Sequence, residues 1–202
     1  MRRNIFVGVM VLVVAVLAVG CAKPPQQEID AAKAALVAAE QSEAPKYASE
    51  AWDKVQQADA AVKAELDAQQ AKFALFRSYT KAKQLVADET AAAANAKQAG
   101  IAGKEKAKND AKAAIDGVKA SIDNAGTLFA ALEKCRRHPK DLKKDLVLMK
   151  GNLDGYKNQV TDLDAKFAKE DFLGAKAQAD TLKGQVDTMA TELGNAKTKF
   201  KC

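Results

Sequence analysis

The sequence predicts an all-α fold: an elongated antiparallel helical bundle or coiled coil of about five helices, in which two three-helix bundles share a long third helix. Three observations predict it. Apolar residues recur at alternating spacings of 3 and 4 over several heptads, which is the seam of packed helices. Alanine and lysine, both strong helix formers, dominate a chain that has only four prolines in 202 residues. No run of alternating β-branched residues reads as a strand.

The first element stands apart from the bundle. Arg2 and Arg3 form a basic start, residues 5–19 carry no polar side chain, and Gly20 places a small residue before Cys21. This is the layout of an export signal, and the apolar run is shorter than the ~20 residues that span a membrane. Leu17-Ala18-Val19-Gly20-Cys21 resembles the lipobox of bacterial lipoproteins, with Ala18 where that pattern prefers leucine. The resemblance implies cleavage before Cys21, a diacylglyceryl group on its thiol and an acyl group on its new amine. Two or more acyl chains hold a protein stably on a bilayer. Ala22 stands where an aspartate tends to retain lipoproteins at the inner membrane, so the expected destination is the outer membrane of a Gram-negative bacterium, with the body in the periplasm. Residues 1–20 are thus read as a signal peptide and 21–27 as a lipidated tether.

The first helix is expected over residues 28–42, with Ile29, Ala32, Leu36 and Ala39 on one face. Pro45 breaks the pattern. A second helix over 49–76 carries an inner stripe of Ala51, Val55, Ala58, Val62, Leu66, Phe73 and Phe76, with Trp52 beside it. "FRSYT" then offers Ser78 or Thr80 as a cap for a third helix over 79–135. Its first half has a seam of small residues, Ala82, Val86, Ala93, Ala96 and Gly100. Gly100 and Gly103 are read as the place for a bend or fraying, because glycine costs ~1 kcal/mol relative to alanine inside a helix. Beyond them the seam turns aliphatic, from Ala111 through Ile115, Val118, Ile122, Ala125 and Phe129 to Leu132.

Pro139, in "RRHPK", suits the first turn of a fourth helix. Leu142, Leu146, Met149, Leu153, Tyr156, Val160, Leu163 and Phe167 keep strict 4,3 alternation along it. After "AKED" a fifth helix repeats the alternation from Phe172 and Ala175 to Ala196 and Phe200. Short connections make these neighbours antiparallel. Two domains follow, an N-terminal bundle over 28–99 and a C-terminal coiled-coil bundle over 100–202.

"IDAAKAAL", "APKYASEAWDKVQQADAAV" and "YTKAKQLVADETAAAANA" resemble the domain-of-unknown-function family 4398 of exported and lipid-anchored Gram-negative proteins. The Tyr47-Ala48 pair and the Tyr79-x-x-Ala82 entry carry the likeness, which covers residues 29–96. Ser49 stands where that family usually has proline. The resemblance implies a helical fold and an envelope compartment, and no chemistry.

The same composition excludes several functions. Without Arg2 and Arg3 the formal net charge falls from +6 to +4 with both signs interspersed, which gives no case for nucleic acid. The single histidine, His138, sits beside Pro139 in an inter-helix turn, so no nucleophile–base pair is expected. No cysteine–histidine spacing fits zinc or attached haem, and "GNLDG" lacks the acids of a calcium loop. No enzyme activity, cofactor, metal or small-molecule substrate is expected. The reading is a non-enzymatic envelope scaffold or adaptor, its partners the membrane and an envelope protein or peptidoglycan. The alternative is a module that binds peptidoglycan, lipopolysaccharide or an envelope complex through the Lys-rich face of residues 97–119.

With Cys21 taken by lipid, Cys135 and Cys202 remain, in a compartment where paired thiols persist as disulfides. The fourth and fifth helices have nearly equal lengths, so antiparallel packing returns Cys202 to the level of Cys135. An internal bridge is expected. An intermolecular disulfide or two free thiols are the alternatives.

Overall fold

The computed structural model describes residues 23–135 and 140–201. Among them are six α-helices and no strand: α1 Gln26–Gln41, α2 Ala44–Tyr47, α3 Ser49–Gln70, α4 Thr80–Glu133, α5 Lys140–Ala168 and α6 Phe172–Phe200, with one 3-10 turn at Ala74–Phe76. The fold is all-α, as expected. The chain divides into two compact units, one ending at Gly103 and the other beginning at Lys104. α4 gives its first half to one three-helix bundle and its second half to the other. The expected signal peptide, Cys21, His138 and Cys202 lie outside the described residues.

In the first unit α1 runs parallel to α4, and α3 runs antiparallel to both. Glu28 near the start of α1 pairs with Lys83 near the start of α4 at 3.6 Å. Glu65 near the end of α3 pairs with Lys81 at 2.9 Å. Ile29, Ala32, Val62 and Val86 form one core cluster, with Leu66 and Leu85 against it. Ala39, Ala44, Val55, Ala93 and Ala96 form the other, flanked by Leu36 and Trp52. Alanines bury little area each, so this half depends on close helix approach and dense dispersion contact.

That close approach corrects the reading of the glycines. α4 keeps its helical assignment through Gly100 and Gly103, so the chain does not fray there. A Cβ on Gly100 would lie 2.9 Å from the Ala44 Cα and from the Ser42 carbonyl oxygen. One on Gly103 would collide with the Tyr47 carbonyl oxygen and sit 3.1 Å from the Tyr47 Cβ. The two glycines make room for the α1–α3 connection. Within that connection Glu43 takes φ 57°, and Pro45 occupies the first turn of α2, where its missing N–H breaks no helical bond.

The second correction concerns the end of α3. The apolar stripe continues in sequence to Phe76, but the helix stops at Gln70. Arg77 ends it, donating from Nη2 to the Gln70 carbonyl at 2.9 Å and from Nε to the Lys72 carbonyl at 3.0 Å. Phe73 and Phe76 therefore leave the inner stripe and stand exposed. The buried positions after Val62 are instead Glu65 and Gln69.

The second unit follows the sequence pattern closely. Ala111, Ile115, Val118, Ile122, Ala125, Phe129 and Leu132 are all buried along α4. Leu132, Leu163, Leu182 and Leu193, drawn from three helices, are among its most enclosed side chains. Lys119 reaches Asp164 on α5 at 3.1 Å, Lys104 reaches Glu170 beyond its end at 2.6 Å, and the Ser121 hydroxyl donates to Asp187 on α6 at 2.7 Å. α5 is thus antiparallel to α4, and α6 is parallel to it. Asp171 caps α6 by accepting from the Gly174 N–H at 3.2 Å, and Phe167 packs on Phe172 with ring centroids 5.1 Å apart. Gly151 and Gly155 of "GNLDG" lie inside α5 facing open space, as the helical reading expects.

Candidate functional site

The α3–α4 connection, residues 71–79, is the most built surface feature of the first unit. Phe73 and Phe76 are 70% and 76% exposed and Leu75 is 65% exposed, the three forming an apolar tip. The phenylalanine rings sit 6.4 Å apart, tilted by 52°. A loose loop would fold such residues inward. This one is held from below by a polar clamp.

Glu65 and Gln69, 8% and 5% exposed, form that clamp with Lys81. Gln69 donates to Glu65 at 2.6 Å, while its own Oε1 accepts from the Ser78 backbone N–H at 3.1 Å and from the Lys72 ammonium at 3.2 Å. With the Arg77 bonds to the last carbonyl of α3 and to the Lys72 carbonyl just beyond it, both sides of the tip are tied to the helix end. Tyr79, 5% exposed, seals the base. Lys72 and Arg77 bond to amide oxygens rather than carboxylates, so the tip is flanked by cationic side chains. The described chain begins on the same ground: Lys23 lines one groove with Arg77, Ser78, Tyr79 and Lys83.

Two buried carboxylates of this unit titrate in opposite directions. The hydrogen bonds from Lys81 and then Gln69 hold Glu65 below its ordinary value of 4.5. Its stabilisation is present above that value and is lost as pH falls through the lowered one. Glu89 on α4, 3% exposed, is pushed up, first by burial and then by the charge of Asp59, with Lys63 partly opposing. Ionising Glu89 opposes folding, a cost absent below its ordinary 4.5 that grows as pH rises through the raised value. Glu89→Gln is therefore expected to raise Tm by a few degrees at neutral pH. In melts followed by circular dichroism that gain should vanish below about pH 4. A gain that does not change with pH would show that charge is not the cause.

The sequence-predicted sites fare differently. Cys21 lies outside the described residues. Cys135, half-buried just after α4, is disulfide-bonded, and Cys202 lies outside the described residues, so their pairing stays a proposal. Leu132, Ala196, Lys199 and Phe200 line one groove, which places the end of α6 beside the end of α4. The Lys-rich face of α4 is laced with acids. Lys106 pairs with Asp110, Lys108 with Glu105, Lys112 with Asp116, and Lys119 with Asp164.

Among the described residues no group of His, Cys, Asp and Glu is placed to hold a metal ion, and no helix is long and apolar enough to cross a membrane. The apolar tip is absent from the sequence-derived list because its phenylalanines fit the helical spacing of α3. The available signal was Arg77 beside two of the seven phenylalanines in an aromatic-poor chain.

No family model matches the chain, and neither a curated protein nor a solved structure is similar to it. The expected likeness of residues 29–96 to the domain-of-unknown-function family 4398 gains no support from these comparisons.

Proposed function

We propose that the chain is a lipid-anchored protein of the Gram-negative outer membrane whose helical body acts as a non-enzymatic scaffold or adaptor in the periplasm. The observation that carries this reading is the order basic start, apolar run, small residue and cysteine that ends at Cys21. The body adds support. Its surface carries interleaved Lys–Asp pairs, such as Lys150–Asp154 and Lys176–Asp180, and its cores are packed helix seams. The acids along residues 97–119 favour this scaffold over a module that grips an anionic polymer by charge. Cys135 and Cys202 are proposed to close the end of the second unit.

Metabolic labelling with a fatty acid tests the anchor. The chain as it stands is expected to take up label and fractionate with membranes, while Cys21→Ser takes up none and is lost from the outer-membrane fraction. Equal labelling of both would sink the reading. Salt-sensitive cosedimentation of the protein with purified peptidoglycan would instead revive the polymer-binding module.

A further inference from the structure

We infer that the apolar tip Phe73, Leu75 and Phe76 is a second membrane contact, inserted into the same leaflet that holds the Cys21 lipid; this rests on the anchor proposed above. Four observations converge on it. Three large apolar side chains at 65–76% exposure fall within four consecutive positions, two of them paired aromatic rings. The other exposed large apolar residues described, Val37, Ile101, Val147, Leu148 and Leu173, are aliphatic and lie within helices. The tip is pre-formed: Arg77 bonds the Gln70 carbonyl and Gln69, itself held by Glu65, accepts from the Ser78 N–H, so inserting the tip requires no ordering of the loop.

Its position relative to the anchor is the third observation. Lys23 lies in the groove beside Arg77 and Ser78, and Cys21 is two residues away. Two residues of fully extended chain reach ~7 Å, so a lipid held at Cys21 would draw the groove that Lys23 shares with Arg77 toward the bilayer. A bilayer holding that lipid therefore meets this end of the first unit. The fourth is charge. Arg77, beside Phe76, bonds two neutral carbonyl oxygens. Lys72, beside Phe73, bonds the Gln69 amide oxygen while its charge also acts on Glu65, so basic side chains flank the phenylalanines where anionic headgroups lie. Aromatic side chains with adjacent basic ones are the chemistry of an interfacial contact. The occupant is the phospholipid leaflet.

The unit supplies its own spectroscopic control. The native tryptophan, Trp52, sits at the start of α3, and about 18 residues of helix, some 27 Å, separate it from the tip end. Phe76→Trp adds a second one at an exposed position where folding is not at stake. Both full chains, lipidated in cells, are reconstituted into vesicles of phosphatidylethanolamine and phosphatidylglycerol carrying brominated acyl chains. Acylation of Cys21 is measured by mass on the same samples. The Phe76→Trp chain is expected to show added, blue-shifted emission that loses most of its intensity to the bromines, while Trp52 emission in the parent is unaffected. Unquenched, water-like emission from position 76 on an acylated chain would overturn the contact and leave the anchor standing. Crosslinking of position 76 to an envelope protein on the same membranes would also overturn it, in favour of a protein occupant. Quenching at position 76 without Cys21 acylation would sustain the contact and remove the anchor.

Discussion

Replacing Gly103 by alanine is expected to destabilise the first unit by about 3 kcal/mol, although the same change in an open helix stabilises. Glycine inside a helix costs ~1 kcal/mol relative to alanine, so Gly→Ala normally gains that amount. At Gly103 the new methyl group would run into the backbone carbonyl of Tyr47. Backbone held between α2 and α3 cannot rotate aside as a flexible side chain can. Gly151 and Gly155 have nothing within 4 Å of an added Cβ. Gly151→Ala is therefore the matched control, expected to raise stability. Urea melts of the two variants should move in opposite directions from the parent. Two shifts of the same sign would mean that α2 does not seat on α4 as described.

Breaking the proposed Cys135–Cys202 bridge is the other large effect. The loop it would close holds about 68 residues, for which chain entropy gives about 4 kcal/mol. Cys135→Ser, or reduction of the native protein, should lower the stability of the second unit by an amount near that figure and leave the first unit's melt in place. Non-reducing mass spectrometry of periplasmic protein should find the linked peptide. Free thiols at both positions without reduction would exclude the bridge, and a covalent dimer would assign the cysteine to assembly.

The second unit was legible because within each of its helices Ile, Val, Leu, Met and Phe recur with alanines at 3,4 spacing, from Ala111 through Leu193. Such side chains win their burial by area alone, whatever the partner helix presents. The first unit was harder to read for a physical reason: its decisive groups act through geometry that spacing does not encode. Gly100 and Gly103 matter through a backbone that is distant in sequence. Glu65, Gln69 and Glu89 are buried polar residues that a hydrophobic pattern skips. Phe73 and Phe76 keep the helical period in sequence after the helix has ended at Gln70, where Arg77 bonds the Gln70 carbonyl and the Lys72 carbonyl beyond it. The groove that Lys23 shares with Arg77 and Ser78 likewise depends on α1 and α4 pointing the same way.

The two glycines have a further consequence for the alanine seam. Ala32, Ala39, Ala82, Ala93 and Ala96 are nearly identical knobs, and an interface of identical knobs has no strong preference for one register. Sliding α1 along α4 by a heptad would move its alanines from alanine positions onto Val86, Glu89, Gly100 or Gly103, so the register is set by these few positions that differ in size. Gly100 and Gly103 cut a notch at one level of α4, and only there do the backbones at Ser42, Ala44 and Tyr47 fit. The notch works as a key: with Val86 and Glu89 it breaks the near-uniformity of the alanine seam and selects a single alignment.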